Sequence, residues 1–232
     1  TSIPSTTSDT TNTHFKGFGY DLMLIDTAGI RKKRKVEENV EYYSVVRSIR
    51  AIENSDVCML MIDAEEGINK QDLNILDKIV ENNKGVVILI NKWDLIEKDT
   101  KTADRYREFI LDKIQPFSDV PIIFTSVKDK KRLLKGLDTA LEVHNNRKRK
   151  ITTSHLNKTI LEHVKSHPSS MYKGRDIKIK FMTQLPTYFP SFALYCNYPD
   201  YVKASYKRYV ENKIREHYDF NGVPIRVFFR EK

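Results

Sequence analysis

The sequence predicts an α/β domain, a parallel sheet with helices on both faces, followed by a small α+β domain of order α-β-β-α-β. Three observations predict it. Short β-branched apolar runs alternate with segments of helical period from Tyr20 to about Asn146. Runs such as Val86 to Ile90 are continuously apolar, as strands buried on both faces must be. After a fully polar break at Asn145 to Lys150 the order of elements changes.

Taken in order, the strands of the first part fall at Tyr20 to Ile25, Val57 to Ile62, Val86 to Asn91 and Pro121 to Thr125. The helical segments fall at Tyr42 to Glu53, Gln71 to Glu81, Arg105 to Ile114 and Arg132 to His144. Asn145-Asn-Arg-Lys-Arg-Lys150 then gives way to Thr153-Ser154, a helix cap. This puts the domains at residues 1–148 and 149–232. The second part reads as helix Ser154 to Lys165, strands Ile177 to Gln184 and Ser191 to Cys196, helix Asp200 to Tyr218 and strand Val223 to Arg230. Asp200 would sit near the positive end of the long helix, and Asn221-Gly222 would supply the turn that closes it.

Composition narrows the class. With 232 residues, 40% of them hydrophobic, two domains are the expectation. No apolar run approaches the roughly 20 residues of a membrane helix, so no membrane partner is expected. The start, Thr1-Ser-Ile-Pro, has neither Met nor a leader and reads as a cut end. Cys58 and Cys196 lie far apart in apolar runs without ligand-spaced neighbours, which points to free thiols and a cytoplasmic location. Charge is unevenly spread: residues 147–232 carry 18 Lys+Arg against 7 Asp+Glu, a net of +11, and residues 1–146 a net of -2. A basic second domain facing RNA and a merely solvated basic surface both fit that asymmetry.

Two constellations carry chemistry. Asp26-Thr27-Ala28-Gly29 follows the first strand; Asp26 can hold Mg2+ through a water, and Gly29 lets its N-H approach a terminal phosphate. Alone it could be an ordinary turn. Asn91-Lys92-Trp93-Asp94 also follows an apolar strand, and its parts suit guanine: Asp94 accepts from the ring N-H and exocyclic amine, Asn91 supports N7 and the loop, and the Lys92 stem lies over the base. Adenine would leave Asp94 desolvated and unpaired. Trp93 reads as packing. Ser126-Val127, after the next strand, can offer a backbone N-H to the guanine O6. Upstream, Thr6-Thr7 can give a hydroxyl to Mg2+ when the segment closes on a phosphate, with Thr7 the candidate for metal and catalysis alongside Gly29.

On these residues the chain resembles the bacterial double-GTPase family Der (EngA). The resemblance rests on Asp26-Thr-Ala-Gly-Ile-Arg-Lys-Lys33, Glu41-Tyr-Tyr-Ser-Val-Val-Arg-Ser-Ile-Arg-Ala-Ile-Glu53, Asn91-Lys-Trp-Asp-Leu95 and Asn221-Gly-Val-Pro-Ile225. It implies a P-loop GTPase-type second G domain followed by a KH-like domain. It also implies a cytoplasmic enzyme binding GTP or GDP and Mg2+, with K+ beside the phosphates, that acts on rRNA in large ribosomal subunit assembly. An upstream first GTPase domain of the same protein is a further implied partner.

The sequence departs from that family at informative places. No Gly-rich loop ending in Gly-Lys-Ser precedes Thr1, so this chain alone is expected to bind GTP poorly and to be inactive. Ser5 and Ser8 replace the Gly and Arg of the usual first switch, and Val127 replaces Ala. Ile30 cannot orient a water. Arg31-Lys-Lys-Arg-Lys35 reads either as an rRNA-facing switch or as a solvated charge run. Without a Gly-x-x-Gly loop in the second domain, RNA contact is assigned to Lys178, Lys180, Lys203, Lys207, Arg208, Lys213 and Arg215. The rival function is a constitutive RNA-binding or docking module on a non-catalytic GTPase scaffold.

Overall fold

Continuous apolar strands need cover on both faces, and the first domain provides it. The computed structural model describes residues 11–26 and 48–231. Strands β3 (Val57–Asp63), β4 (Gly85–Asn91) and β5 (Ile122–Phe124) form a parallel sheet in the order β3-β4-β5. Alternation along central β4 divides its side chains between two cores. Val86, Ile88 and Ile90 join Leu60, Ile62, Ile122 and Phe124 beneath Leu76 and Ile79 of α2 (Lys70–Glu81) and Ile110 of α3 (Thr102–Lys113). Ile52, from a helical stretch at residues 48–54 (α1), completes that face. Val87 and Leu89 point the other way, against Val143 of α4 (Leu133–Lys148) and Val223. Ile88 is fully buried, so truncating it to Ala would cost roughly 2–5 kcal/mol.

Two antiparallel strands precede this sheet. β1 (Thr11–Gly17) pairs with β2 (Tyr20–Asp26) around Phe18-Gly19, both with positive φ, a turn suited to the strands' right-handed twist. The sequence reading placed Tyr20 to Ile25 among the parallel strands. Among the described residues β2 pairs as a strand only with β1, antiparallel across a two-residue turn. Tyr20 ties the hairpin to α4, donating its hydroxyl to Asp138 at 2.6 Å.

The second domain has the expected order: α5 (Thr153–Ser166), β6 (Ile179–Gln184), β7 (Ser191–Cys196), α6 (Ala204–His217) and β8 (Arg226–Arg230). β7 lies centrally, antiparallel to β6 and parallel to β8. Its core gathers Leu156, Ile160, Met182, Phe192, Leu194, Val210, Ile214 and Phe220. Several limits differ from the sequence reading. α4 continues through Asn145 to Lys148, because Asn146 is buried and bonds Asp219 and the Asn221 carbonyl rather than opening a linker. Thr152, not Thr153, caps α5. Pro199–Tyr201 forms its own 3-10 turn, so α6 begins only at Ala204 and Asp200 lies ahead of it.

Asn221-Gly222 has a larger role than ending a helix. Gly222 donates its N-H to Asp119 and accepts from Val86 N-H, each at 2.8 Å, so residue 222 bridges to the start of β4. A Cβ there would lie 2.5 Å from Val143 Cγ2 and 2.8 Å from the Val86 carbonyl. Asp119 accepts from Arg215 Nη1 and from Asn221 Nδ2, each at 2.7 Å. Arg226 reaches Asn83 at 2.6 Å and the Val80 carbonyl at 2.9 Å. Arg215 therefore leaves the RNA-facing set: its side chain is 13% exposed and engaged with Asp119 and Glu211.

Candidate functional site

The ends of β3, β4 and β5 converge on one cleft of about 240 Å³, lined by Asn91, Lys92, Asp94, Leu95, Val127 and Lys128. Parallel register produces it: Asp63 pairs with Asn91 at the strand ends, and the Ala64 N-H donates to the Asn91 carbonyl at 2.9 Å. The chain then turns sharply, with Lys92 in the left-handed region at φ 59 and Trp93–Leu95 in a 3-10 turn. Trp93 N-H donates to the Thr125 carbonyl at 3.0 Å. Its ring packs on Phe124 and edge-on to Tyr106, the packing role expected of it.

Asn91 Oδ1 accepts the Val127 N-H at 3.1 Å, joining the two predicted motifs. That bond fixes which way the carboxamide faces, so its NH2 group remains the donor. It also spends the N-H read as the guanine O6 donor, and Ser126 N-H is directed at the Lys131 carbonyl at 3.3 Å. Ser126 Oγ accepts from Asp129 N-H at 3.1 Å, and its influence, ahead of any other, holds the Asp94 carboxyl below the usual carboxylate range. Asp94 Oδ1 is buried with no protein donor among the described residues. An anionic acceptor held in that state suits a ligand bearing adjacent N-H groups, because leaving it unpaired costs roughly 1–3 kcal/mol or more.

Sequence reasoning missed Asp63. Lys92 Nζ pairs with Asp63 Oδ2 at 2.6 Å, and Asp63 Oδ1 accepts from Glu65 N-H at 3.0 Å. This anchors the Lys92 ammonium and leaves its stem along the cleft wall. The available signal was a lone carboxylate directly after the apolar run ending at Ile62. Lys128 and Leu95 also line the cleft and carried no signal of their own. Asp26 ends β2, paired in register with Thr11, while Thr7, Gly29 and the basic run Arg31 to Lys35 lie outside the described residues. Among the described residues no three His, Cys, Asp or Glu side chains gather as metal ligands, and no helix is long and apolar enough to cross a membrane.

Two family models match: "50S ribosome-binding GTPase" over residues 1–92 and "KH-domain-like of EngA bacterial GTPase enzymes, C-terminal" over residues 150–230. The chain is 50% identical to GTPase Der of Christiangramia forsetii, over 100% of this chain and 54% of that protein. It is 51% identical to GTPase Der of Flavobacterium johnsoniae, over 100% of this chain and 53% of that protein. The chain belongs to the Der (EngA) GTPase family. It spans about half the length of the curated Der relatives it matches. Its GTPase-type sheet and KH-like domain are accordingly those of the Der family. Solved structures resemble it more remotely, among them a probable GTP-binding protein engB at 18% identity and TM-score 0.49, covering 60% of this chain and 85% of that chain.

Proposed function

We propose that this chain reads guanine within a GTP-hydrolysing switch protein that acts in large ribosomal subunit assembly, its basic KH-like domain meeting rRNA. The observation that carries the guanine half is Asp94, whose Oδ1 is buried with no partner among the described residues, in the lining of a cleft whose other walls include Asn91, Lys92 and Val127. Asp94 accepts from the base's paired donors, the Asn91 amide meets N7, and the Lys92 stem covers the ring. Ser126 keeps Asp94 ionised, so base recognition persists in mild acid and fades only as pH falls through the depressed pKa. Asp26, Thr7 and Gly29 are assigned to the phosphate end, where Mg2+ would neutralise phosphate charge. Membership of the Der family supports the ribosomal half, as does the net of +11 in residues 147–232.

Replacing Asp94 tests the reading. In the chain extended upstream by a Gly-x-x-x-x-Gly-Lys-Ser loop, Asp94→Asn presents a donor where guanine also presents donors. Titration with fluorescent GDP should show affinity falling on the order of a hundred-fold, with xanthosine diphosphate gaining, since xanthine offers a carbonyl there. Unchanged GDP affinity would end the guanine assignment. Pelleting of the same extended chain with large ribosomal subunits should differ between GTP and GDP; equal pelleting would favour the constitutive docking module.

A further inference from the structure

The KH-like domain displays a cluster of tyrosines that packing does not explain. Tyr172 stacks on Tyr201, their ring centroids 3.3 Å apart and planes 19° apart, and Tyr198 lies 5.9 Å from Tyr172. Tyr201 is 47% exposed and adjacent Met171 67% exposed, a costly display unless something covers it. Tyr172 alone is partly packed, against the small core of Ile177, Cys196 and Val202.

The loops that carry these rings are built rather than loose. Tyr172 and Arg175 exchange both backbone hydrogen bonds, at 2.9 and 2.8 Å, around Lys173 and Gly174, whose φ values of 45 and 73 make a tight two-residue turn. Asn197 ties this turn to the second loop, accepting from Lys178 N-H at 2.6 Å and donating to the Asp176 carbonyl at 3.1 Å. Tyr198, a non-glycine residue in the left-handed region at φ 55, keeps its strained backbone there, and its hydroxyl accepts from Arg175 Nη1 at 3.1 Å. Cations frame the rings: Lys173 Nζ sits 5.4 Å over Tyr172, with Arg175, Lys178 and Lys203 exposed on the same two loops. Two carboxylates, Asp176 and Asp200, lie among them and leave the local balance positive.

An exposed ring stacked on a half-buried one and framed by exposed cations matches one ligand chemistry. Unpaired bases stack on aromatic faces while their phosphates meet Lys and Arg; a duplex hides its base faces and offers only the phosphates. We infer that Tyr201, stacked on Tyr172, is a stacking platform for an unpaired base of single-stranded RNA, with Lys173 and Arg175 holding the flanking phosphates. This rests on the RNA-facing half of the proposed function and gives it a place and a mode.

The test is anisotropy titration of the full chain with a labelled single strand of roughly a dozen nucleotides and with the same strand annealed to its complement. Tyr201→Ala should weaken single-strand binding on the order of ten-fold and leave duplex binding unchanged, while Tyr201→Phe retains both. Lys173→Ala should weaken both forms and reduce the salt slope by about one. Photocrosslinking of a 4-thiouridine strand should label Tyr172 or Tyr201, which also reads the site if an alanine variant misfolds. Unchanged single-strand affinity in Tyr201→Ala, equal loss on strand and duplex, or crosslinks confined elsewhere would overturn the inference and leave the patch as a protein-docking face. A chain that binds neither RNA form overturns the RNA half of the proposed function as well.

Discussion

The candidate cleft at the strand ends and the seam between the domains are both made from loops at element ends, yet they treat polar groups in opposite ways. In the cleft, Asp94 Oδ1 is desolvated and has no protein donor among the described residues, and the Asn91 NH2 group is left as a donor by the bond that fixes its carbonyl. At the seam the charged groups are spent on one another: Asp119 takes Arg215 and Asn221, Arg215 also donates to the Phe220 and Val223 carbonyls, and Arg226 caps carbonyls of the α2 end. The exception is the Thr139 hydroxyl, buried beside the seam without a partner among the described residues. A surface meant for exchange keeps unpaired capacity, whereas a permanent contact uses it up, since stranded polar groups in a permanent contact would cost stability at all times.

Breaking the seam should therefore disturb stability more than specificity. The largest effect is expected from Gly222→Ala, which combines φ +74 with a Cβ inside contact distance of Val143 and of the Val86 carbonyl. We expect a loss of about 3 kcal/mol and separate unfolding of the two domains in thermal scans, instead of one transition. Asp119→Ala comes next. It takes the close carboxylate from the Arg215 guanidinium, which keeps Glu211 at 3.6 Å, two carbonyls and the Phe117 ring at 5.3 Å, for a loss of about 2 kcal/mol by urea denaturation. A double variant with Arg215→Met that restores most of this would show the stranded charge to be the cause.

The smallest effect has the opposite sign. Burial pushes the Glu211 carboxyl up, against the weaker downward pull of Arg215 and Arg226. With its folded pKa above its unfolded one, ionised Glu211 costs stability at neutral pH, and that cost disappears as pH falls through the raised value. Glu211→Gln should thus stabilise by under about 1 kcal/mol at neutral pH, with the gap to wild type closing on acidification. A gap that widens in acid would mean that the ion pair with Arg215 outweighs burial.

Much of the fold was legible because strand periodicity is local. Val86 to Ile90 could only be a strand buried on both faces, and β7 appears at the residues its sequence predicts. The cleft was legible as far as residue identity goes: Asn91, Lys92 and Asp94 line it together with Val127. What escaped was the division of labour. Asp63 looked like any strand-end carboxylate, and Arg215 looked like one more cation of a basic helix. In each case the partner that decides the role lies far along the chain, where no spacing rule reaches: Lys92 for Asp63 and Asp119 for Arg215.

By itself the sequence determined the two-part architecture, the residues that line the cleft and the segment of chain that carries the positive charge. These follow from periodicity, residue chemistry and composition, all properties of neighbouring residues. Tertiary structure alone decided which polar groups stay available and which are consumed. Asp94 and Asp119 are equally ordinary carboxylates on paper. Packing buries an oxygen of one with no partner among the described residues and gives the other two donors from the far end of the chain, and that difference separates the candidate cleft from a joint.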